Sequence, residues 1–560
     1  VHWFRRLENV LLMSLPQPTL PLAVGLQPID YVIVFGYMTG MMCVGVYFAR
    51  RQTNIQDFFV AGRRMPWLAT GLSLIATLMS TLSYLGAPGE MIKHGIGQSI
   101  SLLALPFAFV VVGFLWVPFY MRLNLTSAYE YLERRFGTGA RMLGVSLYLY
   151  MRFVWMGMIV FTASRAVADI TQETAPQAIS QLTGGLIQFT TTGWFYFVLI
   201  ATGVVSTLYT MLGGIAAVIW TDVIQFIVLF SGAVATLVIV GMETGTGPVT
   251  WYREVTSVSH QLPPLFSWDL STRVTLCFTV MTGFFWHVCT HASDQVALQR
   301  YFATQDASAA RRTALVNYTA DITMQLLLAT TGAALLAYYL RHPGALPEGV
   351  SDPRAAGVAD SLFPRFINHG LPVGVSGLVV AALFAVAQSS IDSGINSTAT
   401  VLTIDVIRRF RRELVSDKTE LRRAQWLTLG IGLFITLTAV LVAVYIARDS
   451  LNIIDLQMKG FNCVLGPLGA IFMAGMLLRH VGQQAIVAAG LIGTFVGGSI
   501  AWLGIRYGDE GPSTFLIIPL SWAVTILAAA VLGGFLPPPR PEQVRGLTWR
   551  SVVINHEQAT

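Results

Sequence analysis

Stretches of about 20 apolar residues, enough to cross the ~30 Å hydrocarbon core of a bilayer, recur along the whole chain. They lie at 28–49, 66–88, 99–121, 140–167, 188–211, 215–241, 272–292, 313–340, 371–403, 425–447, 454–478, 484–505 and 515–536. Lipid offers no partner for exposed backbone, so such windows must close their hydrogen bonds internally, as helices. An all-α polytopic membrane protein with thirteen transmembrane helices is expected. Composition agrees, because 54% hydrophobic and 11% charged residues over 560 positions, with a mean hydropathy of +0.63, are far from soluble globular values.

The loops are charged asymmetrically. One set carries Arg50, Arg51, Arg63, Arg64, Arg122, Arg134, Arg135, Arg300, Arg311, Arg312 and RRFRRELVSDKTELRR at 408–423; with Arg141, Arg479 and the C-terminal residues it holds 22 of the 35 basic residues, against seven in the opposite loops. The inside-positive rule then places the N-terminus outside and the C-terminus in the cytoplasm of a plasma (inner) membrane. The net charge of +6 follows from this topology and implies no nucleic-acid partner, since basic inner loops beside anionic membrane lipid suffice. Residues 1–27 read as an external tail, with a basic start and a short apolar run similar to a weak signal segment. Residues 537–560 read as a cytoplasmic tail. Cys43, Cys277, Cys289 and Cys463 show no paired metal spacing and are expected to be small buried residues.

Against this apolar background AQSSIDSGINSTA (387–399) is rich in oxygen. On a helix Ser389, Asp392, Ser393, Asn396 and Thr400 fall on one side, with Ser390 and Ser397 beside them. GLSLIATLMSTLSYLGAPGE (71–90) and FFWHVCTHASDQ (284–295) are likewise polar where a membrane helix should be greasiest. Both read as discontinuous helices. With the 28–49 helix set aside as an extra N-terminal one, two blocks of five spans, 66–241 and 272–478, start on opposite sides of the membrane. That is the parity of inverted repeats, and it leaves 484–536 as two C-terminal helices. Carbonyls freed at a break must line a cavity or bind something. Sodium prefers several hard oxygen ligands, and a neutral set of hydroxyls and carbonyls would release it in each cycle. Ser389 and Ser390, with carbonyls of the segment Ala76 to Met79, supply such a set. The alternative is that these serines bond back to their own helix or join helices, although the intramembrane Asp392 requires a function or a partner.

LTSAYEYLERRFG (125–137), GGIAAVIWTDVIQ (213–225), SDQVALQRYFA (293–303), SSIDSGINSTATVLTIDVI (389–407) and GPLGAIFMAGM (466–476) together resemble the sodium/solute symporter family, over roughly 28–536. The resemblance implies a LeuT-like core of two inverted five-helix repeats and a sodium-coupled secondary active symporter that imports a small solute by alternating access, with Na+ as the coupling ion. Carried over by position, the main sodium site falls on the carbonyls of Ala76, Met79 and Val386 and the hydroxyls of Ser389 and Ser390. Valine replaces the family's usual small residue at 386. A second sodium, held in some members, would use Asp222 and Ser393, with Asp392 where those members have a hydroxyl. That carboxylate would strengthen the second site, pair with an arginine or bind a proton.

The sugar branch has an asparagine and a histidine where this chain has Leu78 and Ser83, so sugar is disfavoured. LMSTLSYLGAPGE is similar to the branch that carries monocarboxylates, vitamins and iodide. Arg152, in mid-helix within LYLYMRFVWMG, must find an anion: a solute carboxylate, for which a guanidinium is an apt bidentate partner, or Asp222 or Asp392 in a structural pair. The candidate solute-lining set is Thr77, Ser80, Ser83, Tyr84, Arg152, Trp155, His291 and Gln457, with packing as the competing role of the aromatic members. Arg165 with Asp169 and Asp455 with Lys459 are expected as i, i+4 pairs. A channel would need a continuous polar pore and a membrane sensor an output domain, and no Ser/His pair or HExxH motif points to an enzyme.

Overall fold

The computed structural model describes residues 25–554, apart from 51, 53, 259–263, 265, 270–271, 273–274, 348, 356–357, 411–415 and 450–452. No strand occurs among them. The principal helices are α1 (Pro28–Ala49), α2 (Trp67–Leu78), α3 (Thr81–His94), α4 (Ser99–Arg122), α5 (Thr138–Thr171), α6 (Thr191–Thr244) and α7 (Leu276–Ser293). They continue with α8 (Gln295–Phe302), α9 (Ala307–Arg341), α10 (Val375–Ile407), α11 (Asp417–Asp449), α12 (Ile453–Leu477), α13 (Gln483–Tyr507) and α14 (Ile517–Phe535).

Length and apolarity alone give ten membrane-spanning helices among the described residues, or eleven with a bent pair, rather than thirteen. The difference has two physical sources. Helix α6 is 54 residues long, more than twice what a bilayer needs, and Gly214 sits inside it at φ 55, ψ −167. Only glycine adopts that backbone readily, so one continuous stretch is two legs, meeting where the windows 188–211 and 215–241 meet. Helix α7, with 18 residues, stands at the expected seventh span but ends in polar residues.

The two expected discontinuities are present. Helix α2 stops at Met79, whose φ −75 and ψ 131 are extended, and Ser80 restarts the chain as α3 by accepting a hydrogen bond from the Ser83 amide at 3.3 Å. The axes on either side are bent by 61°. Helix α7 stops at Asp294, with φ −83 and ψ 117, whose carboxylate accepts from the Val296 amide at 3.0 Å and caps α8.

Helix α10 is the centre of the bundle. Of its most apolar 18-residue window 94% is buried, against 39% for α4, α6 and α11, so its oxygen-rich residues face protein on every side. Helices α1, α2, α5, α6, α8 and α11 all pack on it. Asp30 at the start of α1 accepts from the amides of Gly374 and Gly377 at 2.7 and 2.8 Å, tying the extra helix to the N-terminus of α10. At the far end Arg141 of α5 donates to Asp405 at 2.7 Å. Glu133 also meets Arg141, and Arg409 as well.

The expected tail, up to residue 554, is docked. Arg122 donates to the carbonyls of Val552 and Val553, Tyr131 to that of Leu547, and the Trp549 indole to that of Leu115, at 2.9–3.1 Å. Residues 1–24 and 555–560 lie outside the described residues. Cys289 and Cys463 are buried as expected, whereas Cys43 and Cys277 are exposed on their helices.

Gly214 offers a test of the kink. A Cβ there would lie 2.8 Å from the Phe58 carbonyl oxygen, at positive φ. Gly214→Ala is expected to cost about 1–3 kcal/mol, read as a lower unfolding temperature of the purified protein in detergent. An unchanged temperature would show that the bend does not depend on glycine.

Candidate functional site

The break in α2 leaves carbonyls without their helical amides, and α10 meets them. Ser389 Oγ donates to the Ala76 carbonyl at 2.7 Å and to the Val386 carbonyl at 3.0 Å. Ser390 Oγ donates to the carbonyls of Thr77 and Met79, both at 3.0 Å. Every atom named as a ligand of the main ion therefore falls in one cluster, with the Thr77 carbonyl added. Ser389 and Ser390 do more than bond to their own helix.

One turn along, Ser393 and Asp222 come together, but around a third residue. The Asp222 carboxylate accepts from Ser73 at 2.5 Å and from Thr77 and Arg300 at 3.2 Å. Arg300 also donates to Thr77 at 2.9 Å and to Ser73 at 3.2 Å, and it meets Ser393. Asp222, Ser393 and Arg300 are each 0% exposed. The two residues expected to hold a second ion are thus gathered about a guanidinium. Arg300 is not the loop charge expected from the sequence, because it lies on α8, the half-helix that follows the second break. Asp392 points elsewhere, to the hydroxyls of Tyr209 and of Thr210 at 3.1 Å on the first leg of α6.

Arg152 pairs with Asp294, not with Asp222 or Asp392. The pair spans a small cavity whose walls include Thr77, Leu78, Trp155, Trp286, Thr290 and Phe461. The space left is about 10 Å³, roughly one water. The Arg152 Nε is buried without a partner. Trp155 packs its ring 4.7 Å from that of Phe461.

Of the other expected solute contacts, Thr77 lines this cavity, but Ser80, Ser83, Tyr84 and His291 are not among its walls. Ser80 is spent on capping α3, and Ser83 is exposed. Tyr84 is 0% exposed and packs on Phe363 at 5.8 Å, facing the core rather than a cavity. His291 shares a 2.6 Å hydrogen bond with Tyr301 and stacks on Tyr318. Both take the packing role among aromatic neighbours, away from this cavity. Gln457 lies on α12, and its side chain is outside the described residues. Arg165 and Asp169 pair at 3.0 Å. Lys459 donates to the Gly504 carbonyl at 2.9 Å, while Asp455 is outside the described side chains.

The Asp222–Arg300 pair is buried, so removing one partner should hurt more than removing both. Arg300→Met is expected to cost about 3–5 kcal/mol, and the double variant Arg300→Met/Asp222→Asn should recover most of it. Thermal unfolding of the four proteins measures this coupling. Additive losses would show that the two residues do not stabilise one another.

Comparison with known proteins places this geometry in a family. The model of the family described as "SSF: Sodium:solute symporter family" matches residues 58–493. The sodium/sialic acid symporter NanT of Aliivibrio fischeri is 31% identical over 82% of this chain and 84% of its own length. The sodium/sialic acid symporter SiaT of Proteus mirabilis is 29% identical over 91% and 96%. A solved structure of a Na+-coupled sialic acid symporter, substrate-bound and outward-open, matches with a TM-score of 0.75 and 26% identity over 91% of this chain and 99% of that one. These relatives are transporters, not enzymes, and the fold is that of LeuT-like sodium symporters. The chain is a multi-pass membrane protein that belongs to the sodium:solute symporter family.

Proposed function

We propose that this chain moves a small organic carboxylate into the cell, driven by a sodium ion held by the carbonyls of Ala76, Met79 and Val386 and the hydroxyls of Ser389 and Ser390. The observation that carries the reading is the convergence of both hydroxyls on carbonyls freed by the break after Leu78. Each serine now donates to backbone. With sodium bound, its oxygen lone pairs turn to the ion and the same carbonyls become ligands, so the exchange requires rotation of two hydroxyls and little backbone movement. The set is neutral, which suits a monovalent cation that must leave again.

Arg152 is the solute's anchor in this reading. Its guanidinium faces the cavity with Nε free, and its other side meets Asp294. A solute carboxylate takes the fork bidentately, between the aromatic walls of Trp155, Trp286 and Phe461. Sialic acid, the solute of the similar symporters, carries such a carboxylate, as do the solutes of the monocarboxylate relatives. At Asp222 and Ser393 the Arg300 guanidinium stands where a second sodium would bind, so one sodium per cycle is proposed there. The arginine-rich loops face the cytoplasm, with the N-terminus outside, and the two five-helix blocks, 66–241 and 272–478, move against each other in alternating access.

Two variants in liposomes under a sodium gradient test this, with labelled sialic acid, short monocarboxylates, iodide and a neutral sugar as the panel. Ser390→Ala removes one ligand and should cost about 1–2 kcal/mol, or a roughly 5–30-fold rise in the sodium needed for half-maximal uptake. Sodium dependence like that of the unaltered protein would sink the ion site. Arg152→Lys keeps the charge but loses the fork, so the KM for the carboxylate should rise about tenfold while sodium binding, followed by tryptophan fluorescence without solute, stays the same. A variant that is only less stable, with KM unaltered, would make the Arg152–Asp294 pair structural.

A further inference from the structure

In the interior Asp222, Asp294 and Asp405 each meet a guanidinium, from Arg300, Arg152 and Arg141. Asp321, near the middle of α9, meets an imidazole instead. His287 of α7 places Nε2 3.7 Å from Asp321 Oδ2, with the two side chains only 7% and 9% exposed. The other carboxylate oxygen, Oδ1, accepts from the Gln325 amide at 2.7 Å. No lysine or arginine pairs with Asp321 among the described residues. A separation of 3.7 Å exceeds a hydrogen bond, so none joins the histidine to the carboxylate. Around the pair, His287 Nδ1, both amide atoms of Asn317 and the Tyr318 hydroxyl are buried without a partner. Asn317 lies one turn before Asp321 on the same face of α9, and the Tyr318 ring is 5.4 Å from that of His287.

The ionisable groups that face the pair are His291 from α7, Tyr318 from α9 and, through His291, Tyr301 from α8. Among the other helices packed on α7 and α9, α2 and α14 carry no ionisable side chain. Helix α4 has only Tyr120, which donates to the Ala292 carbonyl, and Arg122, which donates to Val552 and Val553. On the remaining neighbours Asp222 is engaged with Arg300, Lys93 with Asp360, Lys459 with the Gly504 carbonyl and Glu254 with Arg341. With neutral His287 the pair therefore carries one negative charge, which is costly to bury without a cation. One added proton brings it to zero, whether it rests on His287 as an imidazolium or on Asp321 as a carboxylic acid. Held between Nε2 and Oδ2, that proton draws the two within hydrogen-bond length. Asn317 and Tyr318 hold uncommitted acceptors for the second N–H of an imidazolium.

We propose that His287 and Asp321 form a proton-binding dyad, which takes one proton from water as an N–H bond at Nε2 or an O–H bond at Oδ2 and thereby fastens α7 to α9. Because α7 is ended by Asp294, the partner of Arg152, the state of the dyad gives solute uptake a pH dependence. That effect, but not the proton binding, rests on the symport reading above.

Infrared difference spectra of the purified full chain, titrated over about pH 5 to 9 without solute, test the binding. Expected is one titration step, in carboxyl and imidazole bands together, that Asp321→Asn and His287→Gln each abolish or displace by about one pH unit or more, a tenfold change in proton affinity. Titrating bands that neither substitution moves overturn the proposal, as do bands that each respond only to their own substitution, since the two residues would then be independent. Should either variant fail to fold, Gln325→Ala, which deletes the amide donor to the Asp321 carboxylate, must displace the step to higher pH; an unmoved step overturns the assignment equally. In liposomes under a sodium gradient, uptake of labelled sialic acid or lactate is measured over the same pH range. Uptake by the unaltered protein should change severalfold across the midpoint of the step, and His287→Gln should flatten that profile while sodium dependence persists. A profile that His287→Gln leaves unaltered overturns the effect on transport. Absence of uptake for the whole panel would instead count against the symport reading, and the infrared step still decides the dyad.

Discussion

The backbone carbonyls of Ala76, Thr77 and Met79 are the constraint on which the rest of the structure depends. A helix broken inside a membrane exposes polar groups that lipid cannot satisfy, at several kcal/mol each. The break is possible only because Ser389 and Ser390 stand opposite it. That requirement puts α10 against α2, and an oxygen-rich α10 cannot face lipid, so it must be enclosed by the other helices. Its near-complete burial follows from what it has to offer the break. The outer helices, with large apolar residues such as Phe107, Leu441 and Phe495 exposed, then supply the lipid-facing surface.

Thr77 joins the parts of the site. Its carbonyl accepts from Ser390, its hydroxyl bonds with Asp222, Arg300 and Ser393, and it lines the cavity beside Arg152. A movement of the α2 end therefore shifts the polar cluster and the cavity wall together. Asp294 holds a similar position on the second broken helix, where it ends α7, caps α8 and meets Arg152. Because Arg300 leaves α8 to bond with residues of α2, the two discontinuous helices are tied to each other. In the proposed cycle that tie joins the ion's helix to the solute's.

Much of this was legible in the sequence, for identifiable reasons. Apolar windows mark the spans because the solvent is uniform. The first break shows as the hydroxyls of ATLMSTLS and the second as THASDQ, polar where a membrane helix should be greasiest, while Pro88 falls inside α3; Ser389 and Ser390 stand out as adjacent hydroxyls in an apolar span. The ion pairs were harder. Arg300 looked like one more inside-positive charge, since sequence distance from a span gives no sign of burial; only its place seven residues into SDQVALQRYFA hinted otherwise. For Arg152 the sequence suggests Asp222 and Asp392, carboxylates that lie in spans, whereas the partner is Asp294. Asp294 lies at a helix break, and a break brings a side chain into the interior that a straight helix would not. Tyr84 and His291 show the limit of reading polarity from neighbours, because direction around a helix decides what a side chain meets.

The clasp between Arg152 and Asp294 bears on selectivity in the proposed cycle. A guanidinium alone in a cavity walled by Trp155, Trp286 and Phe461 would be an uncompensated charge in a poor solvent. Asp294 supplies the compensation when no solute is present. A neutral sugar offers hydroxyls only, and replacing a carboxylate by hydroxyls on a buried arginine exchanges a charge-assisted bond for weaker ones. A carboxylate solute replaces like with like and gains the free Nε as well. The same exchange leaves Asp294 without its cation, next to the α8 N-terminus, where backbone amides favour a negative charge. Solute binding and rearrangement at the second broken helix are then one event, and a solute that cannot take Arg152 from Asp294 cannot start it.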